Sequence, residues 1–428
     1  MRICIVAEHA SKNFGGEAIL PFHYFRLLRS LGVESWMAVH ARTRNELVEL
    51  FPDDFDRILF VPDLWIHKLI NHLSGYLPRR LSMSTLGILS QLITQFRQKE
   101  IVRRLIRDKH VSVIHQPMPV APKFPSVLYG LGVPVVIGPL NGGMQYPPAF
   151  RRAEPWIARV GVAMAGLFVD LVHDLLPGKR LADVVLVSNE RTRLALPSGI
   201  RGRVIEMAEN GIDFSIWQGS SVNVESPTTR FVFLGRLVDL KAVDVVIRAL
   251  KAVPLAELEV VGDGPMRDPW QKLADELGVK ERVHFTGWLP QEQCAARLQA
   301  SLALVLPSII ECGGAVVLES MAMGKPVIAA RWGGPSDYLD ESSGILVEPT
   351  SYQDMVDGFA EAMTKLITYP ELAQSMGAAG RKRAVRDFDW QKKIQQVISI
   401  YRDFEDGAGE PRELKEGAVS PPAVSERQ

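Results

Sequence analysis

Residues 311 to 330, ECGGAVVLESMAMGKPVIAA, set two glutamates eight positions apart in an otherwise apolar stretch, with Gly313 and Gly314 between them. The run LALVLPS ahead of Glu311 reads as a strand, and the residues from Ala315 to Ala322 read as a helix. A strand, a glycine-rich turn and a helix N-terminus make an anion site. The first amide N–H groups of a helix lack partners, and glycine lets a ligand come close to them. Gly313, Gly314, Ala315 and Val316 would supply those amides. Glu311, in the loop, can accept hydrogen bonds from several hydroxyls. Glu319 lies one turn past Ala315 with its side chain tilted toward the helix start, where it can grip a diol. The pair reads as two hydroxyl clamps beside one diphosphate cradle. The plainer alternative makes Glu319 a helix salt-bridge partner and Glu311 a surface loop residue.

Other segments offer matching chemistry. In GRLVDLK, Arg236 ends a strand and Lys241 follows at the start of the next helix, two cations on one strand-to-helix loop. A solvated pair would look the same. In EHASKNFGGEAIL, Gly15 and Gly16 precede a helical pattern, as a close-approach loop or a tight turn would. VSVIHQPMP puts His115 at the end of a strand, the edge at which open parallel sheets bind ligands, although a core or capping histidine fits as well. GPLNGG follows the next strand and offers Asn141 to an acceptor pocket. Asp54-Phe55-Asp56 precedes a strand instead of following one, so it is set aside as a metal site, and none is expected elsewhere. The GDG of VVGDGP lacks a third glycine and runs into Pro265, so it is no dinucleotide fingerprint.

These loops need a scaffold. Two series of short strands alternating with helical patterns fill the 428 residues, the first from RICIVAE to VVLVSN and the second from RFVFLGR to PVIAA. Such alternation predicts two Rossmann-like domains with parallel sheets. The expected division is 1–215, 216–386, a helix over 387–404 packing back on the first domain, and a disordered tail over 405–428. The join falls in the Ser- and Asn-rich stretch 210–230.

The chain has 49 basic and 49 acidic residues, which argues against a general nucleic-acid binder. The balance is uneven, with 26 basic and 19 acidic residues in 1–215, so about +7, against 23 and 30 beyond. Nine basic and two acidic side chains lie in 66–110, where RQKEIVRRLIRDK reads as a basic amphipathic helix with Phe96, Ile101, Val102 and Leu105 near one face. The expected partner of that stretch is an anionic membrane, and a packed helix with a solvated face is the alternative. WIARVGVAMAGLFVDLVHDLL, 156–176, is interrupted by Arg159, Asp170 and Asp174, which argues against a membrane span. Three scattered cysteines read as reduced thiols. The N-terminus reads as a first strand, and a cytoplasmic location is expected.

The spacing Glu311 to Glu319 resembles the E-x7-E motif of retaining nucleotide-sugar glycosyltransferases of family 4, which have the glycosyltransferase B fold. FLGRLVDLKAVDVVIRAL, VVGDGPMRD, MAMGKPVIAARWGGPSDYL, SSGILVEP and the junction NGID follow that family in order. Three positions depart from it. Gly313 stands where an aromatic is usual, Ala242 where the residue after the lysine is glycine, and Asp337 where glutamate is commoner.

The resemblance implies a donor site in the second domain, with Arg236 and Lys241 on the diphosphate, and an acceptor site in the first. It implies that the Gly15–Gly16 loop meets the donor phosphate and that His115 and Asn141 face the acceptor. His115, Arg236, Lys241 and Glu311 are the expected catalytic residues. It further implies transfer with retained configuration, to a glycan or lipid-linked acceptor in envelope or exopolysaccharide assembly, with no cofactor and no metal. A sugar-nucleotide epimerase and an inactive scaffold share the architecture and stay open.

Overall fold

A computed structural model describes residues 1–13, 16–74, 76, 86–153, 169–219 and 228–405. Seven strands form the first sheet: β1 (Arg2–Val6), β2 (Glu34–His40), β3 (Ile58–Val61), β4 (Val113–Gln116), β5 (Val135–Leu140), β6 (Val184–Val187) and β7 (Arg203–Glu206). All pair in parallel, in the order β3-β2-β1-β4-β5-β6-β7. Helices α1 (Ile19–Ser30), α2 (Arg44–Leu50), α3 (Trp65–Ser74), α4 (Ile88–Lys109) and α5 (Glu190–Leu194) lie among them. Successive side chains of a strand point to opposite faces. Ile3 and Ile5 therefore enter one core with Leu20, Tyr24 and Phe25 of α1, and Cys4 and Val6 enter another with Val102 and Leu105 of α4. A sheet covered on both faces needs strands that are apolar throughout, which is how they read in the sequence.

The second sheet has β8 (Arg230–Leu234), β9 (Glu257–Val261), β10 (Val283–Gly287), β11 (Ala303–Leu306), β12 (Val327–Ala330) and β13 (Gly344–Val347), also parallel, in the order β10-β9-β8-β11-β12-β13. It is covered by α6 (Val243–Ala249), α7 (Arg267–Glu276), α8 (Gln291–Gln299), α9 (Ala315–Ala322), α10 (Gly334–Tyr338), α11 (Tyr352–Thr368) and α12 (Pro370–Asp387). Strand order reverses between β1 and β4 and again between β8 and β11. Loops leaving the carboxyl ends there form the crevice in which doubly wound sheets bind ligands. β7 and β13, each at a sheet edge, are absent from the strand series read from the sequence. β7, RVIE, has charged residues at both ends, and β13, GILV, is an apolar run of only four residues.

The chain crosses between the sheets twice, side by side. The Ile212 amide donates to the Phe388 carbonyl at 2.7 Å, and the Trp390 amide donates to the Ile212 carbonyl at 3.1 Å. α13 (Trp390–Glu405) then returns to the first domain, where Ile394, Val397, Ile398 and Tyr401 join the core of Ile3 and Ile5. The apolar spacing of that helix is thus the print of the first sheet. No helix among the described residues is long and apolar enough to cross a membrane. Most of the apolar stretch 156–176, and the tail from 406 onward, lie outside the described residues.

His115 lies on β4 inside this packing and is fully buried. Its Nε2 is 2.6 Å from the Gly138 carbonyl oxygen and its Nδ1 is 2.5 Å from the Tyr401 hydroxyl. The carbonyl can accept only, so Nε2 carries the proton and Nδ1 accepts from the tyrosine. Burial pulls the ring down to about 4, so it stays neutral. Both nitrogens are used within the protein, and the expected cleft histidine is instead a core residue that ties α13 to β4. Tyr401→Phe should therefore lower stability by about 1–3 kcal/mol, the usual loss when a buried acceptor is stripped of its donor. Urea unfolding would show this as a lower midpoint with an unchanged slope.

Candidate active site

Two double glycines meet in the second domain. Gly314 has φ of +74° and stands at the N-cap of α9, so no side chain caps that helix and its first amides face outward. The Gly334 amide donates to the Glu311 carbonyl at 2.8 Å. A Cβ on Gly334 would lie 2.0 Å from the Gly313 oxygen, and one on Gly333 2.3 Å from the Glu311 oxygen. The loop after β11 and the turn before α10 are packed backbone against backbone. Close packing of main chains, together with the positive φ, is what requires glycine here.

The charged side chains fall into two groups. Lys241, at the end of a 3₁₀ turn after β8, makes an ion pair with Glu311, whose Oε2 also accepts from the Ser308 hydroxyl at 3.2 Å. The two residues assigned separately to diphosphate and to hydroxyls thus neutralise one another. Arg236 and Glu319 have no hydrogen-bond or ion-pair partner among the described residues. Arg236 is exposed on the loop after β8. Glu319 is half-buried on α9, and burial alone pushes its carboxyl up to about 8. The glycines of GDG serve the same loop, since a Cβ on Gly262 would lie 1.9 Å from the Gly235 oxygen.

Asn141 lies between the domains and is buried. Its Nδ2 donates to Glu209 Oε2 at 2.6 Å and to the Cys312 carbonyl at 3.0 Å, while its Oδ1 has no partner. The loop after β5 in the first domain is thereby fastened to the loop after β11 in the second. Glu209, adjacent to the NGID junction, is the functional carboxyl that sequence reasoning missed, because its role depends on contacts 68 residues away. Burial pushes it up to about 7 against the pull of Asn141. Two further contacts close the same seam. Asp337 accepts from Asn189 at 2.8 Å and from Arg191 at 3.1 Å, and the Trp332 indole donates to the Gln145 carbonyl at 2.8 Å. Burial and the Glu209 and Glu311 charges push the Cys312 thiol up to about 11, so it is no nucleophile. Gly16 sits in the turn before α1 with open space around its missing Cβ, and Gly15 lies outside the described residues.

The loop after β8 carries a paired and an unpaired cation, Lys241 and Arg236, and α9 carries open first amides and an unpaired carboxyl, groups able to hold an anion and a diol. The carboxylate makes the free protein pH-sensitive. Between the ordinary carboxyl value and about pH 8, folded Glu319 keeps a proton that the unfolded chain has lost, so its contribution falls as pH rises through that window. Glu319→Gln, a neutral isostere, should melt at a higher temperature than the parent at the alkaline end. Below the ordinary carboxyl range the two should melt alike, as thermal scans at both ends would show.

Residues 220–383 match the family model described as glycosyl transferases group 1. The chain is 36% identical over 181 residues to a GDP-mannose-dependent alpha-(1-6)-phosphatidylinositol monomannoside mannosyltransferase of Mycolicibacterium smegmatis, covering 40% of this chain and 46% of that protein. It is 38% identical over 165 residues to the lipopolysaccharide core biosynthesis glycosyltransferase LpsD of Rhizobium meliloti, covering 37% and 45%. The matched stretch thus spans about half the length of these relatives. Among solved structures, sucrose-phosphate synthase from Thermosynechococcus elongatus superposes with a TM-score of 0.66 at 19% identity, covering 95% of this chain and 99% of that one. Anabaena Alr3699/HepE in complex with UDP gives 0.66 at 16%, covering 94% and 100%. The likeness covers both sheets and fixes the fold, while the family match lies in the half that carries the glutamate pair. The second domain is thus similar to the glycosyl transferases group 1 model over residues 220–383, set within a two-domain glycosyltransferase B fold.

Proposed function

We propose that the chain is a retaining family 4 glycosyltransferase that moves a sugar from a nucleotide-sugar donor to a glycan or lipid-linked acceptor in envelope or exopolysaccharide synthesis. The observation that carries this reading is the pairing of Lys241 with Glu311 beside the exposed, unpartnered Arg236 and the open N-terminus of α9. A diphosphate arriving at those amides competes with Glu311 for Lys241. It frees the carboxylate for sugar hydroxyls and gains two fixed cations as its leaving charge develops. Glu319, with no donor of its own, takes the ribose diol. The relatives support the reading in kind: one is named for GDP-mannose, and a structural neighbour holds UDP. Asn141, fastened to the donor loop, puts the acceptor side of the cleft in register with the donor.

The reading is tested by turnover and nucleotide affinity measured together. Arg236→Ala and Lys241→Ala should each depress transfer by about 10²–10³, the usual effect of removing one preorganised stabiliser of developing charge. Glu319→Gln should weaken UDP or GDP binding in calorimetry. Transfer should persist in EDTA, since these two cations serve the diphosphate. Full activity in the double mutant, or release of free nucleotide with no sugar transferred to any acceptor, would overturn the assignment.

A lipid-linked acceptor calls for membrane contact in the first domain, and the surface proposed for it combines α3 with the basic helix. The basic helix turns Val102 and Leu105 into the core, with Ile101 partly buried against it and Lys99 buried with Nζ 3.6 Å from the Tyr129 ring centre, and leaves only Phe96 of its expected apolar face exposed. A further open apolar face is on α3, where Leu69 and Leu73 lie one turn apart and are exposed, with Tyr76 beyond. Exposed Arg97, Arg103, Arg104 and Arg107 on α4 add the positive charge. Pelleting with phosphatidylglycerol vesicles should exceed that with phosphatidylcholine, fall as salt rises, and drop in Leu69→Glu/Leu73→Glu. Binding indifferent to lipid charge would return α4 to a solvated face.

A further inference from the structure

The carboxyl ends of β2 and β3 hold a cluster that the donor site does not use. His40, the last residue of β2, and His67, in the first turn of α3, are buried with ring centres 5.2 Å apart. A nitrogen of each and a carboxylate oxygen of Asp63 lie within 4.8 Å of one another, a spacing that suits a metal ion. The hydrogen bonds argue against one. The Arg42 amide donates to His40 Nδ1 and the Leu64 amide to His67 Nδ1, each at 3.2 Å. Both Nδ1 atoms are acceptors, so both neutral rings carry their proton on Nε2, the atom a metal would need bare. His67 Nε2 faces the Thr94 hydroxyl at 3.3 Å. His40 Nε2 is buried without hydrogen-bond geometry to any acceptor and lies 3.4 Å from Asp63 Oδ1. Burial and Arg42 keep His40 neutral, at about 4.

We propose that Asp63, with Arg42 and Trp65, forms a subsite for an uncharged sugar residue of the acceptor. This rests on the reading of the chain as a glycosyltransferase. The buried imidazole props Asp63 from beneath, while the carboxylate stays 47% exposed. Arg42, 37% exposed, reaches within 3.8 Å of the same oxygen. An exposed pair at that distance contributes little to stability, so either side chain can turn to a ligand at small cost. A carboxylate beside a guanidinium offers hydrogen-bond acceptors and donors at no net charge. A hydroxyl, which both donates and accepts, satisfies the two together. A phosphate meets the Asp63 charge and a cation meets Arg42, so both are disfavoured. Trp65, two residues further, is 74% exposed and supplies the flat apolar surface that a pyranose face packs on. The His40 amide donates to the Glu8 carbonyl at 3.1 Å, so the subsite adjoins the loop that leaves β1 at the crevice.

The test uses the full chain with methyl α-D-mannopyranoside, methyl α-D-glucopyranoside and methyl α-D-galactopyranoside as probes, read by saturation-transfer NMR. Mannose 6-phosphate, zinc, UDP and GDP are titrated on the same samples. At least one glycoside should bind, and Asp63→Ala and Trp65→Ala should each weaken it about tenfold or more, the loss expected for one charged hydrogen bond. Nucleotide binding should stay unchanged in both variants. Binding of none of the glycosides, glycoside binding indifferent to Asp63→Ala, tighter binding of the phosphorylated sugar, or stoichiometric zinc uptake that Asp63→Ala removes would each overturn the subsite. Failure of the parent chain to bind either nucleotide would instead count against the donor-site reading on which it rests.

Discussion

Backbone contact between two double glycines organises the cleft. Gly313 and Gly334 come so close that a single Cβ on the latter would fall inside the oxygen of the former. With no side chain between them, the turn before α10 braces the loop after β11, and the start of α9 is left open. The same loop presents the Cys312 carbonyl to Asn141 of the other domain. A loop held on both sides is a rigid frame for α9, which a preorganised site needs, because amides that must reorganise around developing charge lose much of their worth.

The frame carries side chains that are poorly satisfied by the protein itself. The Glu319 side chain has no donor among the described residues and Asn141 Oδ1 no partner. Buried or half-buried groups left in this state destabilise a fold, and such conflicts gather where a sequence serves function at the expense of stability. Elsewhere the chain satisfies comparable groups. Lys393, pulled down to about 7 by burial, donates to the Glu209 carbonyl and lies 4.3 Å from the Trp390 ring centre. Lys179, also fully buried, donates to the Ala121 and Pro122 carbonyls at 3.0 and 2.9 Å.

Much of this was legible from residue type and spacing. Parallel strands covered on both faces leave continuous apolar runs, so the inner strands of both sheets could be read, whereas β7 and β13, each covered less fully at an edge, could not. The helical spacing of Ile394, Val397 and Ile398 announced a buried face, although nothing local said which sheet would bury it. Local pattern failed wherever the answer lay in a distant contact. His115 looks like a cleft residue at a strand end until Tyr401 and Gly138 take both nitrogens. The basic helix over 97–109 has an apolar face whether sheet or membrane covers it, and the sequence cannot tell which. Lys241 and Glu311 were each given a ligand, but that they neutralise one another follows from a fold that brings together residues 70 positions apart.

The three departures from the family pattern gain a physical meaning in the same frame. Ala242 has φ of +48°, a left-handed conformation that costs a residue with a Cβ about 1–2 kcal/mol, so glycine is the easier choice there. A Cβ at position 313 would lie 2.6 Å from Asn210 Nδ2 and 2.9 Å from Glu209 Oε2, so an aromatic has no room while those two side chains fill the space. Asp337 joins Asn189 and Arg191 across the seam. Two of the three therefore lie where the loop after β11 and the start of α10 meet the first domain. Glu209 is pushed up into the neutral range, and Glu17 and Glu311 contribute to that push. Its ionisation adds a like charge at the seam that couples donor loop to acceptor loop. The physical link between the two halves of the cleft is thus a hydrogen-bonded carboxyl–amide pair, Glu209 with Asn141, in which burial favours the neutral carboxyl.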